Sequence, residues 1–262
     1  MTRPLGAISR SGVVRFLAVS ALVGLLAACG APTGPGGAGD ISIAPVPSAD
    51  PFTSALIMTR TWAAAEMEST VRATIDGSSR ELDARGEVAM DKGYAALTWT
   101  SGSATSRELV NDRAIFTQDV APDGPWTRTE SEGRTPTSAF ADPLLNLASV
   151  EGVAVDGSDE IDGFEAVRYR GTLPVTAGTL EGLALTDDEI ASIVAASTPD
   201  DTVTVTAWAD PNRRLVRIER RLVLDGDSGI QADVVASTRL WNFGVMLDLE
   251  SPPSGSVVTA RP

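Results

Sequence analysis

The sequence predicts an α+β domain: about ten antiparallel strands in a meander that curls, with a few helices covering one side. Three observations predict it. Between residues 66 and 240, apolar and polar residues alternate in many short runs, the pattern of strands with one wet face. Short turn signals such as Asp76-Gly77 and Asp91-Lys92-Gly93 separate those runs, as hairpins require. Helical spacing occurs in only three stretches, enough to cover one side or the mouth of a sheet.

Taken in order, Pro51 to Ala65 reads as a helix, with Phe52, Ala55, Leu56, Met58 and Trp62 at helical spacing. Met67, Ser69, Val71, Ala73 and Ile75 then share one strand face, and Leu82, Ala84, Gly86, Val88 and Met90 share the next. Strands follow at Tyr94–Thr100, Arg107–Val110, Ala114–Gln118 and, after a Pro/Gly/Asp break, Trp126–Thr129, with a turn expected at Asn111-Asp112. Ser138 to Ser149, holding Leu144, Leu145 and Leu147, reads as a second helix. Later strands run over Glu165–Leu173, with Val167, Tyr169 and Leu173 on one face, and over Thr202–Trp208. The last two place Val216, Ile218, Leu222 and Leu224 on one face, then Ile230, Ala232, Val234, Ala236 and Leu240. Thr186-Asp187-Asp188-Glu189 is a capping box opening a third helix over Ile190–Ala196, which Gly178–Leu185 extends.

Composition removes several chemistries. There is no His, one Cys and one Lys (Lys92) among 262 residues. No imidazole relay, zinc helix, Cys₄ zinc site or redox Cys pair can be built. Gly93 follows the sole Lys, so there is no phosphate-binding loop, and Ala89 stands where a Ser–Lys nucleophile pair needs Ser. Asp156, Asp159, Glu160 and Asp162, or Asp225 and Asp227, lack calcium-loop spacing and read as solvated turns. No cofactor or metal is therefore expected, and binding is favoured over catalysis. A formal charge of −14 and a pI near 4.4 disfavour a nucleic-acid partner. The same charge repels anionic headgroups, so membrane attachment should come from an inserted group.

That group is legible at the start of the chain. Arg3, Arg10 and Arg15 precede an apolar run, Phe16–Leu26, too short to span a bilayer. The run ends in Leu26-Ala27-Ala28-Cys29-Gly30, which resembles a bacterial lipobox. In that resemblance, residues 1–28 are a cleaved signal peptide and Cys29 becomes the lipidated N-terminus. A chance Cys behind an ordinary secretory signal, or a core Cys, is the competing reading; position, spacing and uniqueness agree on lipidation. Cleavage removes three Arg and no acid, taking the charge from −14 to −17. Two or three acyl chains anchor firmly where one would be marginal. Gly30 to Asp50, with five Gly and four Pro, reads as a tether with an r.m.s. reach of roughly 25 Å. The expected organisation is thus a signal peptide over 1–28, lipidated Cys and tether over 29–50, and one domain over 51–262.

Several features together resemble the actinobacterial LppX/LprAFG lipoproteins: the lipobox and leash, a first helix with a Trp, early hairpins, a central Asp142-Pro143-Leu144 helix, and Trp208–Glu219 (W-A-D-P-N-R-R-L-V-R-I-E). Thr238–Gly244 followed by Val245–Leu249 and Pro252 looks like that family's last strand, although Asn242 stands where the family often has Asp. The resemblance implies a LolA-like fold, a strongly curved antiparallel half-barrel whose apolar concave side is closed by helices. It also implies a monomeric cell-envelope lipoprotein on the extracytoplasmic face of the membrane. Family members bind acyl chains of lipids or glycolipids; cousins of the same architecture contact proteins and act as envelope sensors or accessory subunits.

Val71, Val88, Leu97, Tyr169, Val203 and Val205 are the residues expected to line the hollow. Ala73, Ala84, Gly86, Ala96, Ala207, Ala232 and Ala236, on or beside the apolar faces, are too small to fill a curved interior alone. Compositional Ala bias in an ordinary core is the alternative. The five Trp are expected in the core or on the sheet surface. Arg220, on the face of Ile218 and Leu222, must reach either a carboxylate or a polar ligand head. Replacing Cys29 with Ala should abolish labelling by an alkyne fatty acid and leave an uncleaved or released form; undiminished labelling would remove the lipoprotein assignment.

Overall fold

The computed structural model describes residues 50–111, 114–119, 124–130, 140–226, 229–247 and 249–259. The leader, Cys29, most of the tether, Asp112, Asp227 and the start of the expected second helix lie outside these residues. Pro47–Pro262 forms one compact unit. The chain runs α1 (Pro51–Thr61), β1 (Ala64–Ile75), β2 (Ser78–Ala89), β3 (Tyr94–Ser101), β4 (Ala104–Val110), β5 (Ala114–Asp119) and β6 (Trp126–Glu130). The second half is β7 (Glu151–Ile161), β8 (Phe164–Pro174), α2 (Ala177–Leu180), α3 (Asp187–Ala196), β9 (Thr202–Ala209), β10 (Leu215–Asp225), β11 (Gln231–Trp241) and β12 (Val257–Thr259).

All twelve strands form one open sheet in the order β12-β6-β5-β4-β3-β2-β1-β11-β10-β9-β8-β7. It is two meanders, β1–β6 and β7–β11, joined where β1 pairs with β11. Only β12 runs parallel to its neighbour, β6. The sheet is strongly curved: inward side chains of β1, β2, β3, β8, β9, β10 and β11 share one apolar cluster, as expected of the half-barrel. The other face carries cross-strand polar pairs such as Arg72–Glu81, Thr70–Asp83 and Arg221–Asp233, the alternation read from the sequence. Asp76 and Gly77 both adopt positive φ between the paired ends Ile75 and Ser78, as a two-residue hairpin turn requires.

Five local readings need correction. Residues 178–185 do not extend the third helix: they form the end of α2 and a 3₁₀ turn, and Ala184 at φ 49° separates them from α3. The first helix stops at Thr61, and Ala64 and Ala65 already belong to β1. Residues 140–150 are consecutive turns and a short 3₁₀ segment, Leu147–Ser149, in place of a regular helix. Within them Asp142 Oδ1 accepts from Leu144 N at 3.0 Å, and Asn146 sits at φ 62°; both favour turns over helix. The acidic run 156–162, expected as a solvated turn, is largely strand β7. Its register shifts at two places near the positive-φ Gly152 and Gly157, which breaks the period of two. Residues 245–249 form no strand within the described part; β12 is the further strand.

Close backbone approach fixes two glycines. A Cβ on Gly86 would stand 2.0 Å from the Ala96 carbonyl oxygen, and one on Gly171 would stand 2.7 Å from the Glu151 carbonyl oxygen. Ala96 itself lies half-buried on the outward register of β3, while Ala95 and Leu97 point in. Gly86→Ala should therefore cost about 1–3 kcal/mol, the usual range for overpacking, and lower Tm by several degrees. Gly255→Ala, where an added Cβ meets nothing, should leave Tm unchanged; equal melting of both variants would contradict this packing.

Candidate functional site

The concave face is the candidate site. Val71, Val88, Leu97, Tyr169, Val203 and Val205 are all between 0% and 8% exposed and belong to the same cluster. The tertiary structure thus brings all six together, from both meanders. The other wall is the cover expected over the sheet, made of Phe52 and Leu56 from α1, Leu144 and Leu147 from the 140–150 segment, and Leu180, Leu183 and Ile193 around α2 and α3, none of which the sequence reading counted among the site residues. Those residues are buried to the same degree and cover the sheet where a second sheet would stand in a sandwich. Their apolar spacing was visible, but nothing local says which strands they cover.

Each cover element is tied down differently. Phe52 of α1 tilts against the Tyr169 ring, with centroids 5.8 Å apart. Thr59 Oγ1 donates to the Ala55 carbonyl and accepts from Leu215 N, both at 2.7 Å. That second bond has a structural cause: a register shift lies between Leu215 and Arg217, so the Leu215 N–H needs a partner outside the strand ladder. The shift also separates Val216 from Ile218, Leu222 and Leu224, with which it was expected to share a face. Leu215 joins the inner cluster, while Val216 packs outside with Ala166 and Trp208.

Arg220 holds the 140–150 segment. It is buried on the inner face of β10 and donates through Nη2 to the Pro143 and Leu145 carbonyls, each at 2.9 Å. Neither sequence-based alternative describes this: the direct partners are backbone carbonyls, with Asp142 contributing only through space. Burial pulls its pKa down to about 10, with Asp142 opposing the fall, so the guanidinium stays charged at neutral pH. Gly182, in the 3₁₀ turn after α2, leaves room above it: a Cβ there would sit 3.5 Å from Arg220 Nε. Arg60 reaches the same segment from α1, at 3.9 Å from Asp142 Oδ2. Burial raises the Asp142 carboxyl, opposed chiefly by Arg60. Asn146 Nδ2 donates to the Gly178 carbonyl at 2.7 Å, linking this segment to α2. On α3, Glu189 caps the helix start and accepts from Arg80 of β2 at 2.6 Å.

The interior is closely filled. Between α1, the start of β7, β8 and β9, the gap lined by Phe52, Val150, Val153, Tyr169, Arg170, Gly171, Val205 and Ala207 is too narrow to admit a water molecule. Small-molecule sites usually offer about 300–1,000 Å³, so an acyl chain needs the cover to move. Tyr169 borders the gap, and burial raises its hydroxyl pKa.

Outside the concave face, the acids of β7 are engaged. Arg168 pairs with Asp156 and Asp159, and Arg239 with Asp162. The Trp208 indole N–H donates to Asp159 at 2.6 Å, and it and Arg168 hold that carboxyl below its ordinary range. Trp208 and Trp241 lie on the outer face, Trp99 packs partly against the core, and Trp62 is exposed at the end of α1. Among the described residues, no Cys/Asp/Glu group could hold a metal ion, and no helix is long and apolar enough to cross a membrane.

The site is an apolar concave sheet under a cover of short elements, the curved α+β half-barrel that the sequence led us to expect. No family model and no curated protein matches the chain. Among solved structures it is similar to the following proteins. LprF from Mycobacterium bovis is 14% identical with TM-score 0.48, covering 77% of this chain and 95% of that one. The lipoprotein LppX from Mycobacterium tuberculosis is 15% identical with TM-score 0.36, covering 76% and 96%. An uncharacterized conserved protein from Thermus thermophilus is 12% identical with TM-score 0.39, covering 79% and 98%.

Two outcomes follow from the Arg220 contacts. Arg220→Met leaves two carbonyls without their donor, which should cost roughly 3 kcal/mol and speed amide exchange over Leu144–Val150; unaltered exchange there would mean that Arg220 does not hold the segment. The raised Asp142 carboxyl keeps its proton more tightly folded than unfolded. Its contribution to stability is therefore full below the ordinary value of 3.8 and lost as pH rises through the folded value. Asp142→Asn should flatten the stability profile in that acidic window.

Proposed function

We propose that this protein is an envelope lipoprotein that binds the acyl chains of a lipid or glycolipid on its concave face and carries or chaperones them. One observation carries the reading: the inward faces of both meanders merge into a single apolar surface whose remaining wall is a set of short, separately tethered elements. A sheet that only needed a core could close on itself or on a second sheet. Here the cover can leave without breaking any strand pairing, because residues 140–150 and 175–201 contribute no strand. Val71, Val88, Leu97, Tyr169, Val203 and Val205 would line the opened hollow, with Arg220 released from the Pro143 and Leu145 carbonyls toward a polar head. Cys29 would hold the protein to the extracytoplasmic face of the membrane. No step calls for catalysis, a metal or a cofactor.

A second reading has its own support. The filled interior, with no room for a water molecule beneath α1, is what a protein-binding sensor or accessory subunit would also have. Such a protein would use its outer surfaces and keep the core shut.

The readings separate on purification of the mature chain with Cys29→Ser, which has no acyl group of its own. A carrier should bring lipid into native mass spectrometry. Added lipid should raise Tm and slow exchange at the buried amides of β8 and β9 while speeding it over 140–150; lipid at a hundredfold its Kd stabilises by about 2.7 kcal/mol. Chain-length-independent melting, with no lipid retained and a protein partner captured instead, would give the second reading the lead.

A further inference from the structure

Three segments converge on the end of α1 and the start of β1. The Leu215 N–H donates to Thr59 Oγ1, the Met90 N–H to the Ala63 carbonyl and the Gly244 N–H to the Ala64 carbonyl, all at 2.7–2.8 Å. One end of the half-barrel is therefore a rim made of residues 58–62, 90–93, 210–214 and 242–246. Its surface differs from the rest of the molecule in two respects.

First, the rim and its helix expose large apolar side chains. While α1 buries Phe52, Ala55, Leu56 and Thr59, it leaves Ile57 58%, Met58 39% and Trp62 43% exposed. Met58 and Trp62 stand one helical turn apart and so share a face. Trp62 packs over Gly244, where a Cβ would be 3.5 Å from the ring. Two residues further, Met246 is 93% exposed. Second, these four segments hold four cations, Arg60, Lys92, Arg213 and Arg214, against two acids, Asp91 and Asp210, in a chain of net charge −14. Asp210 is buried beneath Arg214, bonded at 2.6 Å. Arg214 lies over both the Trp62 and Phe243 rings, at 5.4 and 4.7 Å, and Arg60 also faces Asp142.

We infer that this rim docks on the bilayer surface, with Met58, Trp62 and Met246 entering the headgroup boundary and Arg60, Lys92 and Arg213 meeting anionic headgroups. The inference rests on the lipoprotein reading in one respect: the described part begins at Asp50, the N-cap of α1, so a tether anchored at Cys29 brings this helix close to the membrane. Tethering makes the second contact intramolecular, and a weak surface then suffices. An exposed Trp, with apolar neighbours and basic flanks, is the composition of an interfacial contact. The overall negative charge keeps the rest of the domain off the same surface. The helix that docks also carries Phe52, which packs on Tyr169 on its inner side, so the docking element is part of the cover itself.

Flotation of the mature chain carrying Cys29→Ser tests this without any covalent lipid. It should float with vesicles of phosphatidylglycerol and remain behind with vesicles of phosphatidylcholine. Met58→Ser with Trp62→Ser should weaken partitioning roughly tenfold, and Lys92→Ser with Arg213→Ser about fivefold per cation, an effect that added salt reproduces. Val223→Ser, exposed on β10 away from the rim, should change nothing, and Tm should hold in all of these variants. Absence of flotation with phosphatidylglycerol, equal flotation of every variant, or concentration-dependent dimers that the rim substitutions abolish would each overturn the inference, the last in favour of a second copy. Retained lipid in native mass spectrometry reports separately on the concave site, so loss of one result leaves the other standing.

Discussion

The arrangement depends on one topological constraint. The two meanders share the β1–β11 pairing, which puts β6 near one edge of the sheet and β7 at the other. The chain leaving β6 must therefore cross the whole sheet before β7 can start. The inner face is apolar, so a crossing on that side removes apolar surface from water, at about 25 cal/mol per Å². Residues 140–150 are the described part of that crossing, and they bring Leu144 and Leu147 into the core. The connection from β8 to β9 makes the same use of its length, since neighbouring antiparallel strands need only a short turn, yet α2 and α3 are interposed.

A cover made of connections has exposed backbone to satisfy on its inner side, where water is excluded. The structure resolves this with side chains reaching out of the sheet. Arg220 supplies the donors for Pro143 and Leu145, and Arg80 reaches the Ala184 carbonyl together with Glu189. Charged donors make the stronger hydrogen bonds, which explains why an arginine is tolerated on an otherwise apolar face. The same bonds are local and few. An element held by two guanidinium groups, one amide and a handful of leucines opens at lower cost than a strand held along its length, which suits the proposal of an acyl-chain site beneath the cover.

The convex side follows from the same sheet. Its alternation leaves charged and aromatic side chains outside, and they pair across strands: Arg217 lies over Trp208, Arg239 and Arg85 over Trp241. The Trp241 and Asn242 side chains both donate to Glu66. At the edge, β7 protects itself from further pairing by its two irregularities and its acidic side chains. Those features also hid the strand, because a bulge reverses the alternation that a reader of sequence counts.

What the sequence by itself determined is local. Alternation set the faces of the early hairpins, Asp76-Gly77 set a turn, Thr186 and Glu189 set a helix start, and the six residues expected to line the hollow are buried together because inward parity needs only neighbours along the chain. The absence of His and the single Cys bounded the chemistry before any fold was known. Only tertiary structure decided what those faces meet. The pairing of Glu66 with Trp241, the partners of Arg220, the register shift that sends Leu215 inward and Val216 outward, and the contact of Trp62 with Gly244 all join residues far apart in the chain or depend on a partner strand. A period of two says that a side chain is buried; it takes the closing of the sheet, and the crossing of its mouth, to say against what.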